Sequence, residues 1–370
     1  MLAGSGRFWQ RIVSFGVLRG RAVLIESLQL LGWGPFFAEQ VPADGGLVAR
    51  RVVAVHRTGH ALGDGESECV VPLGRSWQRL PVEARPCVGD WVLTDVAGTR
   101  IERVLERRSV LRRVASGGKL DFQLIGANID VALVVTSCTA EFNPSRLHRY
   151  LALARDSGIE AMLVLTKADL AEDVAVYRDQ ALGLAPNIVV ETVNALNAES
   201  VRAVGRHMRA GATFALLGSS GVGKSTLLNT LADRRLQATG EVREDDGKGR
   251  HTTTGRFLHR LPGGALVLDG PGVRELGVAD VEEGLDRLFE DIEALAERCR
   301  FRDCAHDTEP GCAVQAAVLA GDVDESRLAS YRKLSVEQRR LGAELAGQRH
   351  RGRKSERLAR RERRGDGRGG

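Results

Sequence analysis

Apolar residues in this chain come in short unbroken runs. Residues 161–165 (Ala-Met-Leu-Val-Leu), 188–190 (Ile-Val-Val), 214–217 (Phe-Ala-Leu-Leu) and 265–268 (Ala-Leu-Val-Leu) each read as a buried strand that runs straight into polar or glycine-bearing chain. Continuous runs of this length suit the interior strands of a parallel sheet covered on both faces. From about residue 46 to 113 the pattern changes to β-rich runs at 48–56, 69–73, 87–94 and 100–105, separated by turns such as Gly63-Asp64-Gly65 and Ala97-Gly98. That segment predicts a small antiparallel barrel of hairpins. The pattern fades at both ends. Residues 12–18 form a brief apolar stretch among arginines, too broken for a signal segment, and 349–370 are nearly free of apolar residues. No run approaches the ~20 apolar residues that a membrane span needs, so no membrane partner is expected.

The run 214–217 delivers the chain into Gly218-Ser219-Ser220-Gly221-Val222-Gly223-Lys224-Ser225, followed by Thr226 and a helical pattern. Strand, glycine turn and helix in that order make a phosphate-binding loop. The glycines let successive backbone N–H groups turn inward onto phosphate oxygens, Lys224 reaches the terminal phosphates, and the Ser225 hydroxyl can ligate Mg²⁺. The ligand is therefore a nucleoside triphosphate carried with Mg²⁺.

The choice of base is read further upstream. Residues 161–165 end in Thr166-Lys167-Ala168-Asp169, which resembles the guanine-recognition motif of GTPases. A guanine edge offers two donors that one carboxylate can accept together, and adenine cannot match that pattern, so Asp169 is the candidate guanine reader. Lys167 would lie over the base with its aliphatic stem, and Thr166 would tie this loop to the phosphate loop. A second base contact is expected after the strand at 188–190, at Val193-Asn194-Ala195-Leu196, where Asn194 and Ala195 stand for the usual Ser-Ala pair. The strand at 265–268 ends in Asp269-Gly270-Pro271-Gly272, which looks like the loop that holds Mg²⁺ through water at Asp269 and senses the γ-phosphate at Gly272. In Ras-like GTPases the phosphate loop precedes the guanine motif; here the order is reversed, a circular permutation. It leaves the site intact, because ligand contacts in an open α/β sheet lie at the carboxyl ends of strands whichever loop is cut.

Cys299-x4-Cys304-x-His306-x5-Cys312 encloses the turn Glu309-Pro310-Gly311. Three thiolates and an imidazole in so short a stretch predict a closed, structural zinc site, one ion per chain. Cys69, Cys87 and Cys138 are scattered in apolar or strand-like surroundings and read as plain buried thiols. The chain of 370 residues, 43% hydrophobic, fits two or three domains. Its formal charge is +5, yet residues 349–370 alone carry ten Lys/Arg against three Asp/Glu. Such a tail cannot build a core; it reads as disordered and suited either to RNA phosphates or to solubility.

Barrel, permuted GTPase, Cys-Cys-His-Cys knuckle and basic tail, in that order, resemble the RsgA (YjeQ/YloQ) family over about residues 31–334. The likeness rests on Gly249-Arg250-His251-Thr252-Thr253-Thr254, on Asp269-Gly270-Pro271-Gly272, on Glu309-Pro310-Gly311-Cys312-Ala313-Val314, and on the stretch 123–130. Three features depart from the family pattern: Gly270 where Thr is usual, Asn194 for Ser, and the long basic N-terminus. The resemblance implies an α/β fold divided into an extension (1–39), an OB-type barrel (40–113), a permuted GTPase domain (114–277), a helical zinc-knuckle domain (278–345) and a basic tail (346–370). It implies a cytoplasmic, monomeric GTP hydrolase, stimulated by the small ribosomal subunit and its 16S rRNA during late subunit maturation. Val273 stands where Ras-like enzymes carry the glutamine that orients water, and an apolar side chain cannot do that. The resemblance therefore passes catalysis to His251, with Lys224 on the phosphates and Thr253, or Thr252, as the switch ligand of Mg²⁺. Two other readings stay open on sequence: an RNA-binding scaffold with a passive GTP switch, and a permuted GTPase of large-subunit assembly.

Overall fold

The structure, a computed structural model, describes residues 26–43, 46–56, 58–114, 122–236, 256–270 and 288–336. His251, Thr252, Thr253, Gly272 and Val273, and the two chain ends, lie outside the described residues.

The first half is antiparallel. Strands β1 (Leu47–Val55), β2 (His60–Gly63), β3 (Glu68–Val71), β4 (Trp91–Asp95) and β5 (Ile101–Val104) pair in the order β3-β2-β1-β4-β5. Val52, Leu62, Val71, Val92 and Ile101 pack together inside it. The four β-rich runs of the sequence match β1, β3, β4 and β5 to within a few residues. β2 was not expected, because His60-Ala61-Leu62-Gly63 is short and lacks alternation. Next, β6 (Val110–Val114) and β7 (Phe122–Ala127) form a separate hairpin across the expected boundary at 113/114.

The second half is a parallel α/β sheet. Strands β8 (Val131–Ser137), β9 (Glu160–Thr166), β10 (Val189–Thr192), β11 (Thr213–Leu217) and β13 (Leu266–Asp269) run parallel in the order β10-β9-β8-β11-β13, and β12 (Arg256–Arg260) adds antiparallel to β13. Helices α1 (Pro144–Asp156), α2 (Val174–Leu182), α3 (Ala198–Gly205) and α4 (Lys224–Leu231) connect these strands. Local chemistry starts them where they start. The Asn143 side chain accepts the Arg146 N–H ahead of Pro144, and Asn197 accepts from both Glu199 and Ser200, each satisfying orphan donors of a first turn. The central strands β8, β9 and β11 are buried nearly throughout, which is why they appear in the sequence as unbroken apolar runs.

The two halves share one sheet. β1 pairs with β12 at Ala54 opposite Phe257 and Val55 opposite Arg256. Arg51, 1% exposed, clamps the junction: it donates to the carbonyls of Gly89 (3.2 Å), Asn128 (3.3 Å) and Leu31 and to the Thr213 hydroxyl (2.8 Å). Burial lowers its guanidinium to about 10, so it remains charged at neutral pH. Trp91 lies beneath it at 5.6 Å.

The C-terminal region adds α5 (Glu290–Ala296), α6 (Ala313–Ala320) and a helical run at 325–336. Its Phe289 ring sits 5.1 Å from that of His148 on α1. Arg327, buried, donates to Leu184 O (2.5 Å), Leu288 O (2.7 Å) and Asp291 (2.9 Å), and Phe289, Ile292 and Leu328 share a hydrophobic core with Leu147 and Leu151 of α1, so polar and apolar contacts together join this region to the parallel sheet.

Candidate nucleotide and metal sites

Four loops leave the carboxyl ends of neighbouring parallel strands: after β9 (Thr166 to Asp169), β10 (Asn194, Ala195), β11 (Gly218 to Ser225) and β13 (Asp269). This is where an open α/β sheet places its ligands. The loop after β11 turns through Gly218 (φ 144°), Gly221 (φ 78°) and Gly223 (φ 94°), and a Cβ on Gly218 would lie 2.2 Å from the Val135 carbonyl. Only glycine fits there. Lys224 opens α4 and is buried; its ammonium donates to the Gly218 carbonyl at 2.7 Å and to that of Ser219. Ser220 and Val222 lie within the same turn, and Ser225 and Thr226 occupy the first turn of α4, half-buried. Backbone amides, a helix start and an ammonium converge here, which is a chemistry for polyphosphate.

The base side is joined to the phosphate side by hydrogen bonds. Thr166, fully buried, places its hydroxyl 2.5 Å from the Val222 carbonyl, and a Cβ on Gly223 would sit 3.3 Å from the same hydroxyl. Lys167 takes a left-handed conformation (φ 56°), which turns the chain so that Asp169 stands exposed in the following 3-10 turn. The Ala168 N–H donates to Val193 O at 3.3 Å, drawing the loops after β9 and β10 together. Asn194 accepts the Leu196 N–H at 2.9 Å and donates its own N–H to the Ser200 hydroxyl. The amide side chain thus closes the turn locally, a task open to Asn as well as Ser. The Thr230 hydroxyl on α4 donates to Ala195 O at 2.7 Å, so the helix that begins at Lys224 also supports the base loop. Asp269 ends β13 half-buried, 3.9 Å from His259, whose imidazole burial keeps below its ordinary range.

Sequence reasoning missed several supports. Arg146 donates to the Ser219 hydroxyl at 2.6 Å and Tyr150 bonds to the same group; both come from α1. Their spacing of four residues on one helix face was the available signal, but nothing in sequence says which loop that face meets.

The knuckle is assembled as expected. One donor atom from each of Cys299, Cys304, His306 and Cys312 lies within 4.8 Å of all the others. Cys299 and Cys312 sulfurs are 3.8 Å apart, and His306 Nδ1 is 3.6 and 3.5 Å from them. A tetrahedral zinc with ordinary bond lengths puts its sulfurs about 3.8 Å apart and sulfur to nitrogen about 3.5 Å, so the donors fit that ion. Burial raises the Cys299 thiol, but amides at Ala313 and Val314 outweigh it and the net shift is downward, toward thiolate. Glu309 accepts N–H groups from Ala305, Asp307 and Thr308, holding the turn that presents His306.

The RsgA GTPase family model matches residues 104–279. Beyond that segment, the chain is 44% identical over 335 residues to a protein of Vibrio parahaemolyticus named small ribosomal subunit biogenesis GTPase RsgA 2, covering 90% of this chain and 92% of that one. The chain belongs to the RsgA GTPase family. A Mesorhizobium japonicum member, named small ribosomal subunit biogenesis GTPase RsgA, is 48% identical over 318 residues, 84% of this chain and 90% of its own. Among solved structures, YjeQ from Thermotoga maritima aligns with a TM-score of 0.59 at 24% identity over 79% of this chain and 98% of that one. YloQ, described as a circularly permuted GTPase, aligns with a TM-score of 0.55 at 24% identity over 80% and 97%. This chain is accordingly a GTP-hydrolysing enzyme with the permuted fold, working on GTP with Mg²⁺. No helix among the described residues is long and apolar enough to cross a membrane.

Proposed function

We propose that this enzyme hydrolyses GTP on the small (30S) ribosomal subunit during late maturation and leaves with GDP. The observation that carries the reading is identity of 44–48% along most of the chain to proteins named for small-subunit biogenesis. In this reading Asp169 accepts the guanine donors, Lys167 covers the base, Thr166 braces the two loops, and Asn194 and Ala195 meet the guanine oxygen. Gly218 to Thr226 cradle the phosphates with Lys224 on the terminal ones. Ser225 and Thr253 ligate Mg²⁺, Asp269 holds it through water, and Gly272 senses the γ-phosphate. His251 orients the attacking water in place of the glutamine that Val273 replaces, so turnover stays slow until the ribosome fixes that segment. Cys299, Cys304, His306 and Cys312 hold one structural zinc. Residues 40–113 act as an OB-type barrel, and barrel, knuckle and basic tail contact 16S rRNA from a cytoplasmic, monomeric protein.

The test is single-turnover GTP hydrolysis with purified small and large subunits, paired with cosedimentation in a nonhydrolysable analogue. Stimulation and pelleting with small subunits alone support the reading; equal behaviour with large subunits, or no stimulation by either, rejects it. Asp169→Asn tests the base assignment independently: GTP affinity should fall by a few kcal/mol while xanthosine triphosphate gains. Unchanged GTP affinity would remove Asp169 from its role.

A further inference from the structure

One cavity lies in the seam between the antiparallel strands and the parallel sheet. It is walled by the β1–β2 hairpin, the stretch 72–88, β7 and the first residue of β12, and its volume is about 580 Å³, in the range of small-ligand sites. Its chemistry is one-sided. Arg85 and Arg256 bring positive charge, Gln78 and Gln123 bring amides, Val88 and Leu124 bring apolar wall, and among the described residues no carboxylate lines it. The Arg85 guanidinium donates to the carbonyls of Leu80 (2.9 Å) and Gln78 (2.8 Å), neutral acceptors that fix its position without cancelling its charge. Asp90, three residues from Cys87 in the wall, is taken up by Arg107 at 2.7 Å. At the rim, exposed His56 offers a flat ring 5.6 Å from that of Phe257.

Guanidinium for a phosphate, amides for a base edge and apolar wall for a base face are the three contacts one nucleotide asks for. The space is too small for a helical segment, so the guest is an unstacked nucleotide of a single strand. One lining residue, Arg256, also touches the corner that follows β13. A Cβ on Gly270 would lie 2.7 Å from Arg256 Cγ and 3.0 Å from Arg256 Cα. The threonine expected in the Asp-Thr-Pro-Gly pattern would therefore displace Arg256. Glycine lets the Arg256 stem lie against the corner that follows Asp269 while the same residue lines the cavity.

We propose that this cavity receives one unstacked nucleotide of an RNA strand, and that Arg256, packed on Gly270, couples its occupancy to the Asp269 corner. The proposal deepens the small-subunit reading above and rests on it for the identity of the strand as RNA.

The test uses the full chain and a mixed-sequence hexaribonucleotide carrying 4-thiouridine, in GTP-analogue and GDP states, without ribosomal subunits. Photocrosslinks should fall in 78–88 or 123–127. Gln123→Trp, which fills the space, and Gln78→Glu, which sets a carboxylate at an exposed rim position, should each weaken hexamer binding about tenfold at unchanged analogue affinity. Gln78 is exposed, so its variant reports even where the tryptophan variant fails to fold. Hexamer affinity should differ between the two nucleotide states, and Arg256→Met, which keeps the stem and removes the charge, should shrink that difference. Crosslinks confined to 349–370, variants that bind like the parent, or no binding by the parent overturn the site. Mononucleotide (AMP or UMP) binding as tight as the hexamer overturns it in favour of a free metabolite. Equal hexamer affinity in both nucleotide states overturns the coupling. Because the assay contains no subunits, its failure is distinguishable from failure of small-subunit stimulation, which would sink the functional reading instead.

Discussion

The two regions that flank the nucleotide sheet are attached to it in different ways. On the N-terminal side β1 continues the sheet through β12, and Arg51, fully desolvated, bonds to Leu31, Gly89, Asn128 and Thr213 at once. On the C-terminal side no strand crosses among the described residues; contact is made by side chains alone, with Phe289 on His148, buried Arg327 on Asp291, and Ile292 and Leu328 in a core shared with Leu147 and Leu151. A shared sheet with a buried clamp makes the antiparallel half and the nucleotide site one mechanical body. Side-chain packing with no shared strand leaves the C-terminal region the more readily displaced of the two, which suits a module moved by a nucleotide switch.

The largest effect that sharpens this contrast is loss of metal. Cys304→Ser should abolish stoichiometric zinc and unfold 299–312, since structural zinc contributes on the order of 10 kcal/mol to such sites. Metal analysis and limited proteolysis read it, and GTP-analogue affinity should survive; its collapse would show that the C-terminal region is not displaced independently of the nucleotide site. Arg51→Met comes next. It strands several buried carbonyls and should destabilise the whole protein by about 3–5 kcal/mol in denaturant melts, with both halves unfolding together. Two separated transitions would break the single-body description.

The third effect is acid sensitivity of the C-terminal seam. Burial first, then the Arg327 charge, lowers the His148 imidazole from its ordinary 6.5 to about 4. Below pH 6.5 the unfolded chain takes up a proton that the folded chain refuses until about pH 4. Stability should therefore fall as pH drops through that window, by about 3 kcal/mol in full. Melts of the parent and of His148→Gln at pH 4.5 and 7.5 test this, and an identical pH dependence in both would acquit His148. The smallest effect is expected at Glu309, half-buried and accepting three backbone N–H groups, which hold its carboxyl at about 2. Glu309→Gln should loosen the His306 turn and lower zinc affinity by about tenfold in chelator competition. No change would mean that the four ligands alone set the knuckle.

Legibility differed between these parts for physical reasons. Residues 161–165, 214–217 and 265–268 announced β9, β11 and β13 because strands buried on both faces must be apolar at every position. The phosphate loop was legible because its glycines answer to backbone geometry alone, as Gly218 against Val135 O shows. The Cys299 to Cys312 cluster was legible because its ligands sit within one short turn, where spacing nearly equals geometry. β2 was not, being four residues without alternation, nor was β12, whose pairing with β1 joins segments far apart along the chain. Nor was the meaning of Gly270, which in sequence is only a departure from a pattern.

What the sequence determined by itself was the inventory of chemistry: a phosphate loop, a candidate guanine reader, a cluster of three cysteines and a histidine, and the permuted order of these motifs. What only the tertiary structure decided was the joinery. That Arg51 reaches Thr213, that Arg146 and Tyr150 meet Ser219, that Thr166 braces Val222 and that Arg256 lies against Gly270 all depend on which strands become neighbours. Neighbour choice is a cooperative property of the whole sheet and core, settled by long-range burial, and no local run of residues carries it.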